Sequence, residues 1–107
     1  GGSIMIARHW RGWTSKANAD AYAELFRSQG SNAHLVDGRP GAYPLRRDLE
    51  DEVEFVVIHL FDSMDTLLAI IGENYEAARL LPGAENLLSR YDPTCTHYEI
   101  ADEPQRP

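Results

Sequence analysis

One cysteine, Cys95, is all the thiol chemistry in this chain. A single thiol closes no intrachain disulfide and supplies no cysteine-based zinc site, and a reducing, cytoplasmic setting fits it best. Cationic side chains are also scarce. Ten Lys and Arg stand against seventeen Asp and Glu, a formal net charge of −7. No basic stripe interrupts that excess, so neither nucleic acid nor an anionic membrane surface is an expected partner. Long apolar runs are missing as well: none approaches the ~20 residues of a bilayer-spanning helix, and no basic-then-apolar leader opens the chain. The four histidines are scattered without metal-ligand spacing, and no HExxH or paired-carboxylate motif accompanies them, so no metal site is expected. Asp48, Glu50, Asp51 and Glu52 lack the glycine and spacing of a calcium loop and read as a solvated hairpin tip.

What is present is ordinary globular material, 43% hydrophobic and 25% charged over 107 residues. That length makes one domain, here 4–101, small enough to gain from burial against a partner. Gly1-Gly2-Ser3 reads as an expression scar ahead of a native Met5, and residues 102–107, with two prolines, as a loose tail.

Along the chain, Ile4 to Trp13 reads as a strand, followed by a Thr14-Ser15 cap signal and a helix from Ser15 to about Gln29 carrying Ala17, Ala21, Leu25 and Phe26. His34-Leu35-Val36 and Asp37-Gly38-Arg39-Pro40-Gly41 form a turn-rich connection. Ala42 to Arg47 is a second strand, interrupted by Pro44, and Glu52 to Phe61 a third and the most apolar. Asp62-Ser63 caps a helix through Met64, Leu67, Leu68 and Ile71, which Gly72 breaks. Helical turns are expected again over 74–81 and, behind Pro82, in a short helix with Leu87 and Leu88, before a last strand over 94–101.

The order strand, helix, strand, strand, helix, strand predicts an α+β fold, a ferredoxin-like βαββαβ sandwich with a four-stranded antiparallel sheet. Its first and third strands lie in the middle, and Pro44, which cannot donate to a ladder, belongs on an edge. Strand one carries Ile4, Ile6, Arg8, Trp10 and Gly12 on one face and Met5, Ala7, His9, Arg11 and Trp13 on the other. Strand three is apolar on both faces. Helices cover only one face of such a sheet, so a second copy packed sheet to sheet is expected to cover the other, making a homodimer.

IARHWRGWT, GAYPLRRD, VEFVVIHLFDSMDTL, GENYEAA and THYEI together resemble the antibiotic biosynthesis monooxygenase family of the dimeric α+β barrel superfamily, over about Ile4 to Ala101. The resemblance implies a small-molecule pocket between sheet and helices. It also implies a cofactor-independent oxygenase, in which an aromatic, quinol-like or polyketide-like anion reacts directly with dioxygen and no cofactor is needed. A non-catalytic homodimer that binds a small apolar or aromatic ligand is the alternative, and isomerase-type proton transfer a third. The haem-degrading branch uses an Asn on the first strand and a Trp and a His after the third. Here the corresponding stretches hold Arg8 and His9, then Ile70, Ile71, Arg79 and Leu80, so haem degradation is disfavoured.

For an oxygenase, His97 and His59 are the candidate catalytic bases, and Trp10, Arg8, Asn74 and Tyr75 the candidate substrate-binding residues. Each has a structural reading beside it. Trp10 suits a core as well as a pocket wall, and a histidine in a buried strand is usually held by a hydrogen bond. Asn74-Tyr75 also reads as a turn. Trp13 is expected at the dimer interface, His9 and His34 at the surface or interface, and Cys95 as a small buried apolar group. Arg46 and Arg47 are expected to pair across the hairpin with Glu52 and Glu54.

Overall fold

The computed structural model describes residues 4–30, 35–36 and 39–101. The elements run β1 (Ile6–Ser15), α1 (Ala19–Leu25) with a wider π-helical turn over Phe26–Gly30, β2 (Leu35–Val36), β3 (Arg39–Pro40), β4 (Ala42–Asp48), β5 (Glu52–Phe61), α2 (Met64–Ile71), a 3₁₀ turn Ala84–Asn86, β6 (Leu88–Tyr91) and β7 (Thr96–Glu99). This is a small α+β domain. Its antiparallel sheet runs β4-β5-β1, and the far edge of β1 is shared by β6 and β7; β2 and β3 form a separate two-stranded ribbon.

Strands β1 and β5 hold the interior, as their apolar faces require, and Pro44 sits on edge strand β4. The ten-residue register from Ile6↔Phe61 to Ser15↔Glu52 puts Ile6, Arg8, Trp10, Gly12 and Thr14 on one face with Phe61, His59, Val57, Phe55 and Val53. That face carries two buried clusters. One gathers Trp10, Val53 and Phe55 with Ala19 and Tyr22 of α1, Ala84 and Cys95; the other joins Ile6 and Phe61 to Leu67 of α2.

Helix α2 begins where the sequence places it. The Ser63 Oγ accepts from Thr66 N–H at 3.1 Å, satisfying one of the orphan donors of the first turn. Ser63→Ala is expected to cost about 1 kcal/mol in urea unfolding. An unchanged midpoint would mean that the cap contributes nothing.

Three local expectations are corrected. Thr14 and Ser15 do not cap a helix, because β1 extends through them; the Ser15 Oγ accepts instead from Asn18 N–H, turning the chain into a shorter α1. Residues 74–81 make a turn and then an irregular segment rather than a helix, because Ala77 bridges Thr94 and the backbone is held by Ala78 N–H to Pro93 O and Cys95 N–H to Glu76 O. Leu88 begins a strand rather than ending a helix, which gives the sheet five strands instead of four. A register shift at Trp13/Thr14 admits β6, and the Ser89 hydroxyl and Arg90 guanidinium both bond Glu52. Glu52 is therefore spent on Arg90. Arg46 points to the helix face and pairs with Asp20 and Asp48, so only the Arg47–Glu54 pair of that expectation is found.

The expected scar at 1–3, the tail at 102–107, His34 and the Asp37-Gly38 turn lie outside the described residues. Among the described residues no helix is long and apolar enough to cross a membrane.

Candidate functional site

Alternation along β1 turns Arg8 and Trp10 toward the helices, and the register then builds a row across three strands: His59, Arg8 and His97 stand side by side on the helix face. Arg8 is only 9% exposed. Its Nη2 donates to the carbonyls of Tyr75 at 3.2 Å and Ala77 at 3.0 Å, fastening the segment after α2 to the sheet. Its Nε–H is enclosed and has no acceptor.

On the β5 side of Arg8 lies a chamber of about 160 Å³, lined by Arg8, Trp10 and His59 from the sheet, Tyr22 and Phe26 from α1 and its π-turn, and Arg79, Leu80 and Leu81 from the segment that Arg8 fastens. An adjoining hollow of about 200 Å³ shares Tyr22, Phe26 and Val57 with it and is walled by Pro44 and Phe55, with Arg27 and Arg46, both ion-paired, also in its lining. Three of the six expected site residues thus meet in one chamber.

The others do not join them. His97 and Tyr75 lie on the β7 side, edge to face at 5.0 Å, in a separate open cleft with Glu76, Cys95 and Met64. Asn74 is exposed in the turn and lines neither cavity. Tyr22, Phe26 and Arg79, with the apolar Ala42, Val57, Leu80 and Leu81, are the chamber residues that sequence reasoning missed as site residues. Phe26 had a signal, its helical spacing, but that spacing spoke only for core.

Trp10 is a wall held from two directions. Its indole Nε1–H donates to Asp92 O at 2.9 Å, and the ring lies across Gly12. A Cβ at Gly12 would meet Trp10 Cη2 at 2.4 Å and Leu88 Cδ2 at 3.1 Å, so glycine is the residue that lets the indole lie there.

The titratable groups differ in what they can do. Burial pushes the Tyr22 phenol up to about 12, which leaves it a neutral hydrogen-bonding group at physiological pH. Burial, and then the nearby Arg8 charge, lower the His97 imidazole, so it stays neutral; its Nε2 is enclosed without a hydrogen-bond partner. The Cys95 thiol is raised by burial and is an inert apolar filler, as its sequence context suggests. His59 packs against Phe61 with ring centroids 4.5 Å apart and lines the chamber.

On the opposite face of the sheet, Trp13 is covered within the chain. Arg90 lies over its ring at 4.0 Å and Arg11 at 5.3 Å, leaving it 6% exposed. The open apolar surface of that face is carried instead by Tyr43, Leu45 and Tyr98, around half-buried Val56, Ile58 and Leu60.

No protein-family description and no curated protein sequence matches the chain.

Proposed function

We propose that this domain is a cofactor-independent monooxygenase of the antibiotic biosynthesis monooxygenase type, acting on a small aromatic substrate in the chamber beneath α1. One observation carries the reading. A buried arginine, Arg8, and an imidazole, His59, share a chamber walled by Trp10, Tyr22 and Phe26. Aromatic walls orient a flat ring, His59 takes its acidic proton, and the charge that develops on oxygen rests beside the Arg8 guanidinium. The substrate anion then supplies the electrons. At an activated methylene, CH₂ and O₂ become C=O and H₂O: one oxygen atom bonds to carbon, the other leaves with the two hydrogens, and no external reductant enters.

The test is dioxygen uptake by metal-stripped, flavin-free protein on anthrones, naphthols and quinols. His59→Ala is expected to slow it by about 10²-fold or more. His97→Ala, across Arg8 from the chamber, should change it far less. Saturable binding of these compounds with no uptake would replace the oxygenase with a non-catalytic binder of the same ligands. Equal losses in both histidine variants would move the reaction out of the chamber.

The same reading includes a ferredoxin-like βαββαβ plan, with β6 and β7 together in the place of one edge strand, in a cytoplasmic homodimer. The support for pairing is the helix-free sheet face, where Tyr43, Leu45 and Tyr98 are 44%, 47% and 55% exposed around an apolar centre. Sedimentation equilibrium should find a dimer that Leu45→Glu returns to folded monomer. A wild-type monomer would remove the dimer from the reading.

A further inference from the structure

The chamber holds more positive charge than the proposed reaction uses. Arg11, Arg27, Arg46, Arg47 and Arg90 each pair with a carboxylate. Among the described residues, Arg8 and Arg79 have no carboxylate partner, and both line this one chamber. No Asp or Glu lines it among those residues, in a chain whose acids outnumber its bases seventeen to ten. The two cations press on each other: Arg79 adds to burial in lowering the Arg8 guanidinium. Leaving like charges together around a partly desolvated space is unfavourable, and a bound anion relieves it. Arg8 suffices for the oxygen that becomes negative during reaction. Arg79, exposed at the rim with one bond to the Ile71 carbonyl, is left over.

We propose that Arg79 anchors a permanent carboxylate, so that the substrate is an aromatic carboxylic acid of no more than three rings. The clamp is planar and donor-rich, the geometry a guanidinium offers a carboxylate. The size follows from the volumes. A cavity of ~150 Å³ takes one benzene-sized ring. The chamber of about 160 Å³ therefore seats one ring, and the neighbouring hollow of about 200 Å³ has room for a second. A four-ring polyketide exceeds that space. The proposal rests on the chamber being the substrate site, and it names Arg79 as the residue that selects for charge.

The decisive comparison is calorimetric titration of the intact protein with 2-naphthoate, its neutral isostere 2-naphthamide, and anthrone. Naphthoate should bind at least about tenfold more tightly than naphthamide, the difference expected for one charge-assisted hydrogen bond. Arg79→Gln should erase most of that preference, and Arg79→Lys should restore part of it, because charge survives and the planar fork does not. Arg79 lies at the rim, so both variants should fold, which circular dichroism checks. Equal binding of naphthoate and naphthamide, unchanged in Arg79→Gln, overturns the carboxylate while leaving an aromatic pocket in place. Binding of anthrone alone overturns the charge selection but not the oxygenase. Failure of all three compounds to bind overturns both readings.

Discussion

Phe61→Ala is expected to lower the unfolding free energy by about 3–5 kcal/mol. Phe61 is fully buried between Ile6 of β1 and Leu67 of α2, with Met64, Ile71 and Tyr75 packed around that trio. Removing the ring takes away its transfer free energy and leaves a cavity that the sheet cannot readily close, because Ile6 beside it is paired to both β5 and β7. A domain of this size has about 5–15 kcal/mol in all. The loss is thus a large fraction of the total, and the thermal midpoint should fall by about 15 °C or more. His59 should feel it too, since its ring leans on Phe61. Urea unfolding by circular dichroism measures the energy, and a loss near that of a surface substitution would mean that α2 is held by something other than this cluster.

Arg8→Ala should cost about 2–4 kcal/mol, through the Tyr75 and Ala77 carbonyls it leaves without a donor and the void it opens. Arg8→Met should cost less, because methionine refills the volume and removes a buried charge that has no carboxylate partner among the described residues. Location separates this effect from general weakening. The amides of Ala78 and Cys95 bond across to Pro93 and Glu76, and both are held in place by the segment that Arg8 fastens. Their hydrogen exchange should accelerate in Arg8→Met before that of the β1–β5 ladder. Uniform acceleration, or none, would deny Arg8 its fastening role. Substrate binding should be lost in both variants, since the segment carries Leu80, Leu81 and Arg79 into the chamber.

The sequence reads best where side-chain period and capping chemistry decide the outcome locally. Strand β5 runs from Glu52 to Phe61, as its apolar run predicts, Ser63 caps α2, and Pro44 marks an edge. It reads worst past Gly72, where short apolar stretches such as Leu80-Leu81 and Leu87-Leu88 are compatible with helix or strand. There the decision is made by distant partners, by Thr94 bridging Ala77 and by the shift at Trp13/Thr14 that accommodates β6. The site divides along the same line. Period-two alternation puts Arg8 with Trp10, and separately His59 with Val57 and Phe61, on single faces. That His59 flanks Arg8 on the chamber side and His97 on the other is a matter of register between strands far apart in the chain. Arg79 lines the chamber from a segment that is tied down rather than helical.

The contact between Gly12 and the Trp10 indole has a consequence for sequence variation. The two positions share one volume, so position 12 can grow only if position 10 changes with it: a larger residue at 12 is tolerable once the side chain at 10 has shrunk. A library randomised at both and selected for folding should return sizes that vary inversely, and a wild-type-like tryptophan should survive only beside glycine. One wall of the chamber can therefore be rewritten from behind, by a residue on the far side of the ring.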